Sequence, residues 1–413
     1  MEFMEKLLDG VEVELKPLGE ITLRTSNIKW RDATRSYRYI DLTSVSVETK
    51  TVIETLVVTS DSAPSRAQKL VETDDVIFAT TRPTQMRYCL IDEEFDGEVA
   101  STGYCVLRAK KEEVLPKWIL HLISSSEFKA YLEENQSGSA YPAISDAKVK
   151  EFRVPIPCPD NPKKSLEIQA EIVRILDAFT AMTAELTAEL NLRKKQYNYY
   201  RDQLLSFEEG KVEHLPMGQA ELGVFVRGSG LQKKDFTEAG IGCIHYGQIY
   251  THYGTYADKT LTFVSNDFAQ KARKAQPGDL VIATTSENDE DVCKAVAWLG
   301  NEEIAVSNDA CIYKHNLNPK FVSYFFQTEQ FQKQKRQYIT GTKVRRVNAD
   351  NLAKILIPVP SLEEQARIVA ILDKFDTLTT SLTEGLPREI ELRQKQYEYY
   401  RDLLLSFPKD EVA

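Results

Sequence analysis

The chain has 413 residues, 42% of them hydrophobic, and a formal net charge of −10. That length fits two or three domains better than one hydrophobic core, and no apolar run reaches the roughly 20 residues that cross a bilayer. Because nucleic-acid-binding domains usually carry a basic excess, the acidic total argues against such a function unless the charges are segregated along the chain.

The cysteines and the N-terminus bear on where the protein works. The six cysteines are scattered without a CxxC pair, which predicts reduced thiols in a cytoplasm. Met1–Gly10 is charged and lacks the apolar core of a signal peptide. We therefore expect a cytoplasmic protein with no membrane contact.

Residues from about 11 to 155 predict a mixed α/β domain with a helix over Pro116–Asn135. A buried strand, Asp75–Thr81, ends in the hydroxyl side chains of Thr80 and Thr81. Such a strand end can place hydroxyls against phosphates or base edges. A solvated loop is the alternative.

Basic residues lie on both sides of this strand. The basic residues between Arg24 and Arg38 are opposed only by Asp32, and two more arginines follow the strand. Contact with nucleic acid is one interpretation and ordinary surface charge is the other. The candidate contacts in this domain are Arg24, Lys29, Arg31, Thr80, Thr81, Arg82 and Arg87.

A long helical block is predicted next, over Leu166–Phe207. Its apolar residues alternate spacings of four and three, which is typical of a coiled-coil seam rather than of a helix lying on a sheet. The seam residues are Ile168, Ile172, Ile175, Phe179, Met182 and Leu186, followed by Tyr197, Tyr200, Leu204 and Phe207.

Residues from about 212 to 358 predict a second mixed α/β domain, with a strand over Asp279–Thr285 and a helix over Pro319–Tyr338. No acid lies between Glu329 and Asp350, whereas this stretch holds Lys333, Lys335, Arg336, Lys343, Arg345 and Arg346.

The turn Thr340–Lys343 lets backbone amides and hydroxyls approach a phosphate. Arg345 and Arg346, which follow it, can reach guanine in a major groove. A solvated basic face is the alternative. The candidate contacts in this domain are Thr284, Thr285, Lys333, Arg336, Thr340, Thr342, Lys343, Arg345 and Arg346.

The second helical block, over Leu362–Phe407, repeats the first. Arg193–Phe207 and Arg393–Phe407 differ only at 194/394, 198/398 and 203/403. We expect Gly385–Pro387 to interrupt this helix, because proline cannot continue a helix without a kink. Its seam residues are Ile368, Ile371, Phe375, Leu378 and Leu382.

Two similar helices with narrow seams predict an antiparallel pair with a pseudo-two-fold axis. Burial of each seam in its own domain is the alternative. The tyrosine-rich ends carry more aromatic surface than a two-stranded seam can cover, which predicts a docking surface for a partner. The candidate partner contacts are Tyr197, Tyr200, Arg201, Tyr397, Tyr400 and Arg401.

Motifs for chemistry are missing from the sequence. There is no GxxxxGK[ST] phosphate loop and no Asn/Asp-Pro-Pro-Tyr/Phe run for a flipped adenine, and the five histidines are dispersed without HExxH. We therefore predict no catalytic residues and no metal site.

Taken together, these features resemble the specificity subunits of type I restriction–modification systems. The resemblance rests on Arg193–Phe207 with Arg393–Phe407, on the runs 169–179 and 365–375, and on Leu382–Pro387. It extends along essentially the whole chain.

The fold class that we expect is α+β, with two repeated mixed α/β target-recognition domains separated by two long coiled-coil helical regions in a pseudo-two-fold arrangement. The expected boundaries are 1–157 for the first recognition domain, 158–210 for the first helical spacer, 211–360 for the second recognition domain and 361–413 for the second spacer.

The resemblance implies that each recognition domain reads one half of a split, asymmetric site in double-stranded DNA. It implies that the helices set the spacing and bind two modification subunits, which methylate adenine with S-adenosylmethionine. Restriction subunits would add translocation and cleavage, with ATP and Mg²⁺. No cofactor is expected in this chain.

One departure from an even repeat is that the loops 137–144 and 340–347 differ strongly in charge, which leaves the first-domain contacts open. A coiled-coil scaffold without sequence-specific DNA contact is the main alternative function, but a scaffold gives no reason for the acid-free run. A nuclease with two recognition domains is another, but it requires a carboxylate cluster that the sequence does not offer.

Overall fold

The computed structural model describes residues 11–208, 210–381 and 383–407. They form two compact units: the first holds the residues up to Ala188 and those from Glu389 onward, and the second is Glu189–Arg388. Each unit therefore combines one predicted recognition domain with parts of both helical blocks. The bounds of the four expected domains stay predictions. The predictions for Met1–Gly10 and for the seam residue Leu382 lie outside the described residues.

The helices of the described chain follow in order. They are α1 (Pro116–Leu122), α2 (Ser126–Asn135), α3 (Asp146–Glu151), α4 (Pro162–Leu204), α5 (Tyr246–Thr251), α6 (Asn266–Lys271), α7 (Pro319–Phe325), α8 (Glu329–Arg336), α9 (Ala349–Leu352), α10 (Leu362–Thr380) and α11 (Gly385–Leu405). In the part of the chain that the structure describes, no helix is long and apolar enough to span a membrane.

The strands of the first unit form two four-stranded sheets, ordered β4-β3-β8-β5 and β2-β9-β6-β7, and the pair β1-β10. They are β1 (Val13–Pro17), β2 (Thr22–Leu23), β3 (Tyr37–Ile40), β4 (Leu56–Val58), β5 (Ala67–Leu70), β6 (Val76–Ala79), β7 (Tyr88–Leu90), β8 (Val99–Ser101), β9 (Tyr104–Ala109) and β10 (Arg153–Pro157).

The strands of the second unit form two five-stranded sheets, ordered β12-β22-β18-β20-β15 and β13-β16-β14-β21-β17, and the pairs β11-β24 and β19-β23. They are β11 (His214–Pro216), β12 (Gly223–Arg227), β13 (Phe236–Thr237), β14 (Ile241–Ile244), β15 (Tyr256–Ala257), β16 (Thr262–Val264), β17 (Lys274–Ala275), β18 (Leu280–Ala283), β19 (Thr285–Ser286), β20 (Ala295–Trp298), β21 (Ile304–Val306), β22 (Ala310–His315), β23 (Arg345–Arg346) and β24 (Leu356–Pro358).

The central strand of each unit is apolar at every position because both of its faces are covered. In β6, Val76 and Phe78 pack in one core cluster and Ile77 and Ala79 in another, as the two-residue period of a strand requires. The four residues of β18 divide between two clusters in the same alternation. The predicted buried strands are therefore confirmed in both halves.

The helix predicted over Pro116–Asn135 is two helices, and so is the one predicted over Pro319–Tyr338. The second helix of each pair begins after a hydroxyl cap: Ser125 accepts from the amide of Phe128, and Thr328 accepts from that of Phe331. Such caps satisfy an amide that lacks a partner within the helix. The prediction of one continuous helix was wrong at these capping residues.

The second helical block is interrupted slightly before the predicted position. α10 ends at Thr380 and α11 begins at Gly385, so that Pro387 lies in the first turn of the new helix. Proline is tolerated there because the amide that it lacks has no acceptor within the helix.

The beginning of each helical block packs into the core of its own unit. Ile168 and Ile172 lie in the same cluster as Val154 of β10, and Ile368 lies in the same cluster as Ile357 of β24. For this part of each seam the alternative, burial within its own domain, is what the structure shows. The antiparallel pairing of the two long helices stays a prediction.

Identical helix residues hold each recognition domain in the same way. The side-chain oxygen of Gln169 accepts from the amide of Leu115, and that of Gln365 accepts from the amide of Asn318, both just before the first helix of a pair. Asp177 pairs with Lys117 at 2.6 Å.

The second unit has the matching ion pair, Asp373 with Lys320 at 2.8 Å. Part of the identity between the two blocks is therefore explained by contacts within each unit.

Candidate nucleic-acid interface

The strand end and the basic turn of the second unit meet. Thr285 and Ser286 form β19, which pairs antiparallel with β23 in the register Thr285↔Arg346 and Ser286↔Arg345. Backbone bonds in both directions between Thr340 and Arg346 close the turn, each at 2.9 Å. Two segments predicted separately as contacts therefore form one surface.

The first unit builds the same surface from different residues. Thr81 and Ser137 each form a bridge with Ala143. The amide of Ile144 donates to the carbonyl of Thr80 at 2.9 Å, and that of Val347 donates to the carbonyl of Thr284 at 3.1 Å. We call the segment after the central strand the hairpin loop (81–87 and 286–294) and the segment that pairs with it the turn loop (137–143 and 340–346).

Each turn loop contains a glycine in the left-handed backbone region, Gly138 at φ +93° and Gly341 at φ +88°. A Cβ on Gly341 would lie 2.1 Å from the carbonyl oxygen of Val344. The expected flexible turn is thus a tight one in which only glycine fits without displacement.

We expect Gly341→Ala to destabilise the second unit, because a left-handed L-residue costs about 1–2 kcal/mol and the new methyl group must push Val344 away. Urea denaturation followed by circular dichroism measures the loss. The control is Gly230→Ala, because a Cβ at Gly230 meets nothing within 4 Å. Equal midpoints for the two variants would contradict the assigned turn.

The threonine hydroxyls at the strand ends are mostly structural. Thr80 donates to the carbonyl of Gly103 and Thr284 to that of Asp309, each at 2.9 Å. Thr285 is 6% exposed, and its hydroxyl has no hydrogen-bond partner among the described residues. Thr80 and Thr285 are buried, so the prediction that their hydroxyls face nucleic acid is corrected, whereas Thr81 and Thr284 are half-buried and stay candidates.

The acid-free basic run of the second domain contains one residue that cannot contact a ligand. Lys335 is fully buried, and burial lowers the pKa of its ammonium. Arg336 is exposed and lies 3.7 Å from Glu329. The other predicted contacts that are exposed are Lys333, Thr340, Thr342, Lys343 and Arg346.

Arg345 belongs to the turn loop of the second unit, and its side chain is one-third exposed and extends to the hairpin loop. Its Nε is 2.7 Å from Asp289 Oδ1, and its Nη1 donates to the carbonyl of Gly341 at 2.6 Å. The run that lacks acids in sequence therefore has an acid beside it in space.

The first-domain candidates divide into two groups. Arg82 lies on the hairpin loop, is exposed, and stands 5.4 Å from the ring centre of Tyr141 on the turn loop. Arg87 is half-buried and donates to the carbonyl of Val45. Arg82 is thus the arginine of this loop that a ligand can reach, whereas Arg87 holds the scaffold.

The basic stretch near the N-terminus lies elsewhere. Leu23 pairs with Arg108 and Val76 with Leu107, so Arg24 is level with the beginning of β6, whereas Thr80 follows its end. Arg24 and Lys29 are exposed. Arg24 therefore does not lie at the two loops.

The other basic residues of this stretch are paired with acids. Arg31 lies 3.4 Å from Asp32, Arg35 lies 3.0 Å from Glu98, and Arg38 pairs with Glu94. The expectation that only Asp32 opposes this stretch was therefore wrong, because Glu94 and Glu98 arrive from a later part of the chain.

Four of the six predicted partner contacts are buried inside their own units. Tyr197 and Tyr397 are 6% and 7% exposed, and Arg201 and Arg401 are 9% and 6% exposed. Each arginine lies 5.5 Å from the ring centre of the tyrosine one turn before it. The prediction that these four side chains form a docking surface was wrong.

The neighbouring tyrosines are exposed instead. Tyr199 and Tyr399 are 61% and 64% exposed, and Tyr200 and Tyr400 are 41% and 40% exposed. Tyr200 also stacks on Phe375 in the second unit, and Tyr400 stacks on Phe179 in the first. Tyr199 and Tyr399 belong to the predicted tyrosine-rich ends, although they are not among the six candidate contacts.

Sequence reasoning also missed Asp289 and Tyr141, which face the arginines of the opposite loop. A run of acids directly after Thr284 and Thr285 was the available signal for Asp289. Among the described residues, no group of three or more His, Cys, Asp or Glu side chains could hold a metal ion.

Comparison with known proteins identifies the family. The family model for the type I restriction modification DNA specificity domain matches residues 10–193 and 245–392. The chain is 38% identical over 426 residues to the type I restriction enzyme EcoR124I/EcoR124II specificity subunit of Escherichia coli, covering 100% of this chain and 99% of that one. It is 31% identical over 442 residues to a putative type I restriction enzyme specificity subunit of Haemophilus influenzae, with 98% of each covered.

A solved structure agrees on the fold. A chain from the structure described as "structural basis underlying complex assembly and conformational transition of the type I R-M system" superposes with a TM-score of 0.67 at 20% identity, covering 95% of this chain and 97% of that one. That likeness supports the α+β architecture of two recognition domains with helical linkers.

The chain belongs to the type I restriction modification DNA specificity family and is a specificity subunit with two target-recognition domains. The family is not catalytic itself, and catalysis lies on partner subunits. In general, its members work with DNA and with methyltransferase and restriction subunits.

Proposed function

We propose that each recognition domain reads one half of a bipartite, asymmetric site in double-stranded DNA through its hairpin loop and turn loop. One observation carries the proposal: both units build the same loop pair on the same backbone bonds but place the net positive charge on opposite loops. In the first unit, Arg82 and Arg87 are on the hairpin loop and the turn loop 137–143 has no charged residue.

In the second unit the arrangement is reversed. The turn loop carries Lys343, Arg345 and Arg346, and the hairpin loop carries the four acids of Glu287–Asp291 against one basic residue, Lys294. Loops that share a position but differ in charge and shape present different groups to base edges. This supports the reading of different sequences by the two domains.

The basic residues of the second turn loop differ in their contacts within the protein, and they therefore suit different contacts with DNA. Arg346 and Lys343 are exposed, and an exposed basic side chain suits a phosphate. Arg345 is held by Asp289 and Gly341, and a guanidinium with a fixed orientation suits recognition of a base edge through its remaining N–H groups.

The partner contacts belong to the same proposal. We assign docking of two modification subunits to the exposed tyrosines Tyr199, Tyr200, Tyr399 and Tyr400, with the helices setting the distance between the half-sites. S-adenosylmethionine would be bound by the modification subunits, and ATP and Mg²⁺ by the restriction subunits, all in the cytoplasm. The scaffold alternative gains no support from the paired loops, which a scaffold does not require.

Arg82→Ala and Arg345→Ala test the assignment of one domain to each half-site. We expect each variant to relax discrimination in one half of the site only, and the two variants to affect different halves, by about 1–3 kcal/mol per lost base contact. Binding of the complex with its modification subunits is measured on duplexes that carry substitutions in one half at a time.

The controls are Arg174→Ala and Arg367→Ala, which each remove an exposed helix arginine that is paired with a glutamate one turn away. They should leave discrimination in both halves intact. The assignment fails if Arg82→Ala and Arg345→Ala both act on the same half or act equally on both halves.

A further inference from the structure

The hairpin loop of the second unit places negative charge where the protein approaches DNA. Glu287, Asp289, Glu290 and Asp291 are all exposed, and nothing similar stands at 81–87 of the first unit. A carboxylate near a phosphate backbone weakens binding. The charge of this loop by itself therefore lowers the affinity for DNA, so we looked for a contribution of the loop to specificity.

This acidic loop is held in place by a buried lysine. Lys335 Nζ donates to the carbonyls of Glu290 and Val292 at 3.0 and 2.9 Å. Counted from the helix caps Thr328 and Ser125, Lys335 occupies the place in α8 that Leu132 occupies in α2. Only the second domain therefore holds its hairpin loop with a lysine at this position, whereas the first domain has a hydrophobic core residue there.

Two hydrogen bonds within the loop also fix its conformation. The side-chain oxygen of Asn288 accepts from the amide of Asp291 at 2.7 Å, and its amide group donates to the carboxylate of Asp291 at 2.7 Å. Asp289 stands between these two residues and extends to Arg345 on the turn loop. The carboxylate that meets Arg345 is therefore carried by a fixed backbone.

We propose that Asp289 is a specificity-determining positioning residue. It orients Arg345 toward a base edge, and it weakens the binding of the turn loop to DNA that lacks the target sequence. The inference rests on the proposed function and deepens it. Asp289 acts through Arg345, whose Nε and Nη1 are both engaged within the protein. Its Nη2 group is not used by either of these two contacts.

Two physical effects follow from this geometry. A guanidinium that is already oriented loses less conformational freedom when it binds a base pair, so the correct contact is favoured. The adjacent carboxylate repels phosphates and penalises binding that relies on the backbone alone, which is discrimination by a repulsive element. Both effects raise the ratio of specific to non-specific binding.

Asp289→Asn tests the proposal in the assembled complex with modification subunits. The probes are a duplex with the wild-type target sequence, duplexes with single substitutions in each half, and a duplex of random sequence. We expect tighter binding to random DNA and a loss of about tenfold in discrimination within the half read by the second domain, with the other half unchanged. In an Arg345→Ala background, Asp289→Asn should cause no further loss of discrimination.

Glu287→Gln is the matched control, because it changes the charge of the same loop by the same amount. If it relaxes discrimination as much as Asp289→Asn does, net charge and not the pair with Arg345 is responsible, and the proposal is overturned. Unchanged discrimination in Asp289→Asn, with a wild-type complex that does discriminate in both halves, overturns it as well. A wild-type complex without discrimination in either half defeats the proposed function, and this inference falls with it.

Discussion

Tyr397→Ala is expected to lower the free energy of unfolding of the first unit by about 3–5 kcal/mol, the usual cost of removing a buried aromatic side chain. Tyr397 is 7% exposed. Its hydroxyl lies 3.1 Å from Nδ1 of His121 and 3.3 Å from the hydroxyl of Ser124, and burial raises its pKa. The variant leaves a cavity and polar groups without their partner.

Chemical denaturation of the wild-type chain and its variants measures this loss. Tyr399→Ala is the matched control, since Tyr399 is 64% exposed and its removal should change stability by no more than about 0.5 kcal/mol. Tyr397→Phe separates the two contributions, because it removes only the hydroxyl and should cost about 1 kcal/mol. Equal midpoints for Tyr397→Ala and Tyr399→Ala would contradict the assigned packing.

The double variant Tyr199→Ala with Tyr399→Ala is expected to weaken the binding of each modification subunit by about 30-fold or more. Exposed aromatic residues commonly dominate protein interfaces, and a central one contributes about 2 kcal/mol or more when truncated. Both side chains are more than half exposed, so their removal should leave the fold of each unit intact. Titration of the modification subunit into the chain, followed by sedimentation velocity, measures the affinity.

Tyr256→Ala is the control for this experiment, because Tyr256 is an exposed aromatic residue, 43% exposed, within a recognition domain. It should assemble as the wild type does. Wild-type affinity in the double variant would remove the exposed tyrosines from the docking surface.

The elements that sequence could predict are those governed by local pattern. The apolar runs of β6 and β18 predict buried strands because a strand covered on both faces has no polar side. The near-identity of Arg193–Phe207 and Arg393–Phe407 predicts equivalent helices. Both predictions required only the residues of the element itself or of its repeat.

Other predictions failed because the deciding partner is distant in sequence. The repeat of Tyr197 as Tyr397 indicates a shared constraint, but it does not distinguish contact within the chain from contact with another subunit; here the tyrosines are buried in their own units. Lys335 reads as part of a basic surface until the carbonyls of Glu290 and Val292 are brought to it.

The candidate site could be predicted only in outline, because the residues that form it are distant in sequence. The strand end and the turn loop were each recognisable from composition, but their pairing depends on the fold. Asp289 lies on the hairpin loop and Arg345 on the turn loop, and no periodicity links them. Repetition predicts where the domains and their loops lie, whereas charge pairing across the loops requires the structure.

The proposed function requires that this chain directs methylation to a split DNA sequence. Methylome sequencing of a host that carries the chain with its modification subunit, against a host without the chain, tests it most directly. We expect a new bipartite motif with methyladenine in both halves. If the complex is shown to assemble and no new motif appears, the claim is contradicted and the scaffold function takes its place.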